Sequence, residues 1–138
     1  MGVDETRIEI KTHSDIVAAR HTGREMAHEL GFGSADQTRL ATAISELTSN
    51  AIRYAGGGVC TITNQSGQNE KKIQVVVEDH GPGIPDIEQA LMDGFSTGGS
   101  LGIGLPGSKR LVHEFDIESE PGHTKVTIAI VRHRVRLW

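Results

Sequence analysis

The sequence predicts an α+β domain, a two-layer α/β sandwich whose mostly antiparallel sheet carries its helices on one face. Three observations lead there. Strand and helix candidates follow the order β-α-α-β-β-(loop)-α-β-β, without the regular β-α alternation of a doubly wound parallel sheet. Two pairs of strand candidates are joined by short polar turns. One glycine-rich stretch, from Glu78 to Arg110, breaks the pattern and holds eight of the seventeen glycines. With 138 residues, no internal repeat and no low-complexity linker, residues 1–138 read as a single domain.

Taken in order, Arg7-Ile8-Glu9-Ile10-Lys11 alternates charge with isoleucine, the period of a half-buried strand. A helix is expected from about Asp15 to Leu30, with Ser14 as its N-cap and Ile16, Ala19, Gly23, Met26, Ala27 and Leu30 at helical spacing. Gly31 supplies a left-handed residue to end it. Ser34-Ala-Asp-Gln37 has the capping-box pattern, so a second helix should start there and run to about Tyr54. Its core stripe is Leu40, Ala43, Ile44, Leu47 and Ala51, and Gly56-Gly57-Gly58 stops it. Strands follow at Val59–Asn64 and Lys72–Glu78, joined by Gln65–Glu70. Beyond the glycine-rich stretch, a helix from about Gly104 to Glu114 turns Leu105, Leu111 and Val112 inward. The chain closes with Phe115–Ser119, the turn Glu120-Pro121-Gly122 and the strand Thr124–Val131.

Composition removes several classes of function. A net charge of −4 argues against nucleic-acid binding, which needs a basic face. Arg132, Arg134 and Arg136 alternate, which on a strand places them on one solvated face. Cys60 is the only cysteine, so no intrachain disulfide can form and a reducing compartment fits. Neither a signal-peptide pattern nor an apolar run of membrane-spanning length is evident, and the expectation is a soluble, cytoplasmic protein without membrane contact.

Three motifs could carry chemistry. In the second helix, Glu46 and Asn50 stand four residues apart on one face. Asn50 can offer a carbonyl oxygen to Mg²⁺, a hard ion that prefers oxygen ligands and substrate phosphates. Glu46 can orient and deprotonate an attacking hydroxyl. Asp79-His-Gly81-Pro-Gly83 follows the most apolar strand and places an acceptor beside the glycine-rich loop. Gly102-Ile-Gly104-Leu105 then leads into a helix, where unpaired N–H groups and the helix dipole favour phosphate oxygens. No Walker A pattern is present. Each motif alone is ordinary: a polar helix face, a turn, a glycine pair. Their fixed order points to a nucleotide site with the base near Asp79 and the phosphates near Gly102–Gly104.

In that order the chain resembles the GHKL ATPase family, which shares the Bergerat ATP-binding fold. Glu46–Asn50, continued by Ala51-Ile-Arg53-Tyr54, is similar to its N box; Asp79–Gly83 and Gly102–Leu105 are similar to its two glycine boxes. Gly122-His-Thr124 resembles a reduced third box. The resemblance implies that Asp79 accepts from the adenine amino group, that Gly83 lets backbone pass close to the base, and that Thr124 supports both. It implies Asn50 as the Mg²⁺ ligand, Glu46 as the catalytic base and Pro85–Leu101 as an ATP lid. Further nucleotide contacts are implied for Arg53, Gly81 and Ile84, and for the run Gly98, Gly99, Ser100, Leu101, Gly102, Ile103, Gly104 and Leu105. The cofactors are then ATP and Mg²⁺.

Within this family the chain is similar to the RsbT-type switch-protein serine/threonine kinases of the stressosome. The resemblance rests on Ser14–Arg20, Glu29–Gly33, Thr42–Glu46, Pro82–Asp86, Asp93–Thr97 and Gly104–Gly107 with Lys109-Arg110, and spans about Ile8 to Val131. It implies phosphorylation of STAS-domain antagonist proteins in trans and activation of a downstream output protein, such as a phosphatase, by the released kinase. One departure is the absence of the arginine that sigma-binding relatives carry before the second glycine box; Gly99-Ser100-Leu101 stands there, leaving Lys109 or Arg110 to meet phosphate.

Two other readings compete. The catalytic domain of a histidine kinase would need a helical hairpin bearing a phospho-accepting histidine, and His28-Glu-Leu-Gly and His113-Glu-Phe-Asp do not fit that pattern. A non-catalytic, ATP-gated binding module or anti-sigma factor would keep the nucleotide site and shape a protein surface without turnover.

Overall fold

The computed structural model describes residues 4–81 and 104–133. The first strand, β1 (Glu5–Ile10), leads into two consecutive helices, α1 (His13–Glu29) and α2 (Ser34–Ala55). The hairpin β2 (Gly58–Asn64) and β3 (Glu70–Asp79) follows, and beyond residue 103 come α3 (Gly104–Leu111), β4 (Glu114–Glu120) and β5 (His123–His133). The sheet order is β1-β2-β3-β5-β4, and every pairing among these strands is antiparallel.

Alternation along the strands builds the core. Cys60 and Ile62, then Ile73, Val75 and Val77, then Val126, Ile128 and Ile130 turn to one face and are buried. There they meet Ile16, Ala19 and Ala27 of α1 and Leu40, Ile44, Leu47 and Ala51 of α2 in one cluster. The α+β sandwich expected from the sequence is the architecture observed.

Local chemistry explains where the helices begin and end, and in places it departs from the sequence expectations. The N-cap of α1 is Thr12 rather than Ser14. Asp15, in the first turn, reaches back to accept from the backbone N–H groups of Lys11 and Thr12, both at 2.9 Å. These bonds hold the Asp15 carboxyl below the usual carboxylate range. At the other end, Gly31 adopts the expected left-handed conformation (φ 84°). Its N–H bonds His28 O at 3.1 Å and that of Phe32 bonds Ala27 O at 2.9 Å, the pairing of a Schellman cap.

The capping box expected at Ser34–Gln37 does not form. Gly33 is the N-cap of α2 and Ser34 already lies inside the helix. Gln37 N–H bonds Gly33 O at 3.0 Å, and the Gln37 side chain donates instead to Phe32 O at 2.9 Å. Helix α3 ends at Leu111, short of the expected Glu114. His113 is recruited by the sheet: its N–H bonds Ala129 O at 3.0 Å and its Nδ1 accepts from Val131 N–H at 2.9 Å.

The expectation for Arg132 is also corrected. Counting along β5 from Ile128 and Ile130 places it on the helix-bearing face, where its Nε and Nη2 donate to the two Asp36 oxygens at 2.6 and 2.9 Å. Asp36 is 4% exposed at the start of α2, so its carboxylate needs that guanidinium. Arg134 and Arg136 lie outside the described residues.

Candidate functional site

Antiparallel register brings three polar residues to one end of the sheet, on the face that carries the helices. Asp79 ends β3 opposite Thr124 of β5, and Thr124 in turn stands opposite Ser119 of β4. Asp79 Oδ1 accepts from Gly81 N–H at 3.0 Å, an Asx-type turn that fixes the carboxylate. Its Oδ2 has no partner among the described residues. Thr124 is 6% exposed, and its hydroxyl lies 2.7 Å from that of Ser119. Gly122 N–H bonds Gly81 O at 3.0 Å, tying the β4–β5 turn to the end of β3.

Gly81 is required here by close approach. A Cβ on it would stand 2.6 Å from Ala55 Cβ and 3.0 Å from Ala55 Cα, against the end of α2. This contact sets the Asp79 turn directly beside the helix that carries Glu46 and Asn50.

On α2, Glu46 and Asn50 stand one turn apart and are both half-buried, while Leu47 and Thr48 between them are buried. Thr48 satisfies its hydroxyl on Ile44 O at 2.7 Å. Glu46 Oε2 accepts from Gly104 N–H at 3.3 Å, so the carboxylate meets the first residue of α3. Gly104 has φ 66°, and α3 is further braced by Ser108 Oγ, buried, donating to Gly104 O at 2.9 Å. The Asn50 side chain has no hydrogen-bond partner among the described residues.

That unpaired amide fits a Mg²⁺ ion carried mainly by nucleotide phosphates and water, which takes few ligands from the protein. No group of three or more His, Cys, Asp or Glu able to hold a metal occurs among the described residues. Cys60 is fully buried and burial pushes its thiol up to about 12, so it is no nucleophile.

Of the residues singled out in the sequence, Glu46, Asn50, Asp79, Gly104, Leu105 and Thr124 lie on β3, β5 or the two helices α2 and α3, and Gly81 lies in the bend just after β3. Leu105 packs against the core. Arg53 and Lys109 are exposed, and the Arg53 guanidinium sits 5.9 Å from the Tyr54 ring centroid. Gly83, Ile84, Gly98, Gly99, Ser100, Leu101, Gly102 and Ile103 lie outside the described residues, as does the expected lid.

Sequence reasoning missed Ser119, although alternation back from the Pro121-Gly122 turn would have set it opposite Thr124. It also missed a cluster on the other face of the sheet. His123 Nε2 donates to Glu78 Oε2 at 3.0 Å, and this bond, with Lys125 nearby, holds the Glu78 carboxyl below its usual range. The His80 ring lies 5.6 Å from that of His123, with its Nδ1 3.3 Å from Gly122 O. These contacts brace the turn that presents Asp79 and Thr124.

The chain is similar to known proteins over most of its length. Residues 35–134 match the family model described as histidine kinase-, DNA gyrase B-, and HSP90-like ATPase. The chain is 51% identical over 119 residues to the serine/threonine-protein kinase RsbT of Bacillus subtilis (strain 168), covering 86% of this chain and 90% of that protein. It is 31% identical over 108 residues to the anti-sigma F factor of Bacillus licheniformis, covering 70% of this chain and 68% of the relative. Among solved structures, the RsbU and RsbW domains of Rv1364c from Mycobacterium tuberculosis share the fold with a TM-score of 0.65 and 21% identity, over 96% of this chain and 33% of that one. The catalytic domain of histidine kinase ThkA does so with a TM-score of 0.56 and 20% identity, over 94% of this chain and 95% of that one.

Proposed function

The chain belongs to the histidine kinase-, DNA gyrase B-, and HSP90-like ATPase family, and on that premise we propose that it is an ATP- and Mg²⁺-dependent protein serine/threonine kinase of a partner-switching stress response. The observation that carries the reading is the 51% identity, over nearly the whole of both chains, to a serine/threonine-protein kinase. Its substrates would be STAS-domain antagonist proteins, phosphorylated in trans, and its output a downstream signalling protein such as a phosphatase. Its place of action would be the cytoplasm; among the described residues no helix is long and apolar enough to cross a membrane.

The residues divide the work by position. Asp79 Oδ2, fixed by the Gly81 bond on Oδ1, accepts from the adenine amino group. Thr124 lies beside it on β5 and contacts the same edge of the base. The phosphates would take the amides of the Gly102–Gly104 motif, whose last residue opens α3, where N–H groups and dipole favour anions. Asn50 would hold the Mg²⁺, which would supply charge neutralisation to the phosphates. Glu46 stands one turn from Asn50 and beside Gly104, so it can take the proton of a substrate serine or threonine hydroxyl. The hydroxyl oxygen bonds the γ-phosphorus, the bond to the β,γ-bridging oxygen breaks, and ADP leaves. Catalysis of this kind is mainly positioning and electrostatics.

The test is the intact mass of a STAS-domain partner after incubation with the protein and Mg-ATP, with Glu46→Ala beside it. A gain of one phosphate that depends on Glu46 supports the kinase. An unmodified partner despite tight ATP binding favours a nucleotide-gated binding module, the reading closer to the anti-sigma F factor relative.

A further inference from the structure

The sheet has two edges, and they differ. Strand β1 pairs only with β2 and β4 only with β5, so each leaves one side without a neighbouring strand among the described residues. On β1 the backbone groups of that free side can be named. Asn64 N–H donates to Asp4 O at 2.8 Å, and these two residues continue the register that sets Glu5 opposite Thr63. Hydrogen-bonded and non-bonded pairs alternate along an antiparallel ladder. Thr6, Ile8 and Ile10 therefore bond β2, and the N–H and C=O groups of Glu5, Arg7 and Glu9 point outward.

Such a row of groups is a template for one more strand, and native edges commonly carry charges that discourage it. The side chains decide which strand can add. Along β1 and the residue after it, Glu5, Arg7, Glu9 and Lys11 alternate with Thr6, Ile8 and Ile10. Glu5, Arg7 and Glu9 are exposed on the face without helices, whereas Ile8 is half-buried against the margin of the core. The Arg7 side chain has no hydrogen-bond or ion-pair partner among the described residues. Glu5 Oε1 accepts from Thr63 Oγ1 at 3.2 Å, and Glu9 Oε2 lies 3.7 Å from Lys11 Nζ. Exposed contacts of that kind are weak and exchange readily.

A second copy of the chain fits this edge in one register. Two identical strands related by a two-fold axis run antiparallel, and outward groups must meet outward groups, so one residue faces its own copy. Centred on Arg7, the pairing sets Arg7 against Arg7 and Glu5 against Glu9, like charges throughout. Centred on Thr6, it matches Glu5 with Arg7 but sets Ile8 against Asp4. Centred on Ile8, it sets Arg7 against Glu9, Glu5 against Lys11, Ile8 against Ile8 and Thr6 against Ile10. Every charge then meets its opposite on one face, and the isoleucines extend the core margin on the other. Opposite-charge and apolar cross-strand pairs stabilise a sheet, while like charges directly opposed destabilise it. The other edge has no such register. Glu114, Asp116, Glu118 and Glu120 occupy alternate, exposed positions of β4 and would meet one another in a two-fold pairing.

We propose that β1 pairs with β1 of a second copy about a two-fold axis at Ile8, joining two five-stranded sheets into one. The inference is independent of the nucleotide reading. The pairing uses none of the elements that carry Glu46, Asn50, Asp79 and Thr124, so it sets two copies of that site in one particle. A contact one strand wide is small, and interfaces of that size associate weakly. The dimer therefore forms reversibly in the micromolar range.

The test is sedimentation velocity of the full chain over a dilution series through the micromolar range, where the mass should rise from one copy toward two. Arg7→Glu and Glu9→Arg each set like charges opposite one another at two symmetric places. Each should weaken dimerisation by about tenfold or more. The double variant Arg7→Glu/Glu9→Arg exchanges both signs together and should restore it. Circular dichroism melting of the dilute proteins checks that the variants fold. Amide hydrogen exchange reads the same edge in the wild type, without any substitution: the Arg7 and Glu9 N–H groups should slow as concentration rises, and those of Thr6 and Ile8, already bonded to β2, should not. A chain that stays monomeric at every concentration overturns the inference and leaves this edge to solvent or to a strand of another protein. A dimer that ignores the single variants, is not restored by the double variant, or leaves the Arg7 and Glu9 amides unprotected overturns it as well.

Discussion

At the scale of single residues, the ion pair of Asp36 with Arg132 joins positions 96 apart in sequence and seals the start of α2 to the end of β5. The Arg132 guanidinium holds the Asp36 carboxyl below its ordinary value, mainly through the hydrogen bond. A depressed folded value means the contribution is present above the unfolded pKa of about 3.9 and is lost as pH falls through the lower folded value. Arg132→Ala should therefore destabilise the fold at pH 7, because a buried carboxylate loses its main partner. The cost should shrink as pH falls through the acid range and Asp36 takes up its proton; urea unfolding of both proteins at neutral and at acid pH measures it. The residues proposed for catalysis and for base binding separate by function at the same scale. Glu46→Ala should keep ATP binding and lose phosphoryl transfer, whereas Asp79→Asn should lose nucleotide affinity. Equal transfer rates in wild type and Glu46→Ala would remove the base from the mechanism.

At the scale of elements, two glycines do different work. Gly31 ends α1 with φ 84°, a conformation that costs other residues about 1–2 kcal/mol. Gly31→Ala should lower the unfolding free energy by that amount while leaving nucleotide affinity unchanged. Gly81 acts by proximity, since a side chain there would push the Asp79 turn away from the end of α2. Gly81→Ala should weaken ATP binding more than it lowers thermal stability, because the turn carries the carboxylate proposed to bind the base. Comparing melting temperature with ATP affinity in the two variants separates a fold glycine from a site glycine.

For the molecule as a whole, ATP should stabilise the fold by mass action. At a nucleotide concentration 100 times the dissociation constant the gain is about 2.7 kcal/mol. The melting temperature should rise accordingly in the wild type and stay fixed in Asp79→Asn; a shift of equal size in both would place the nucleotide elsewhere. Because β5 lies between β3 and β4, the sheet lines up residues from three strands at the mouth of this site.

The elements and the proposed binding residues could be read from sequence because both readings rest on local patterns. Period-3.6 and period-2 hydrophobicity marked the helices and strands, Gly31 marked a helix end, and the Glu46/Asn50 spacing placed two polar groups on one helix face. Contacts between distant residues were not legible. Periodicity says which face a residue takes but not which strand lies beside it. The insertion of β5 between β3 and β4 alone pairs Thr124 with both Asp79 and Ser119. Alternation read Arg132 as solvated because nothing local reveals that Asp36 is buried beside it. The end of α3 shifted for the same reason: His113 found backbone partners on β5 that local cap patterns do not contain. The sequence by itself determined the layers, the stripes and the order of the nucleotide motifs, since these depend on neighbours within a turn or two. The tertiary structure decided strand order, the hydroxyl row beside Asp79 and the partners of buried charges, since those depend on which distant segments pack together.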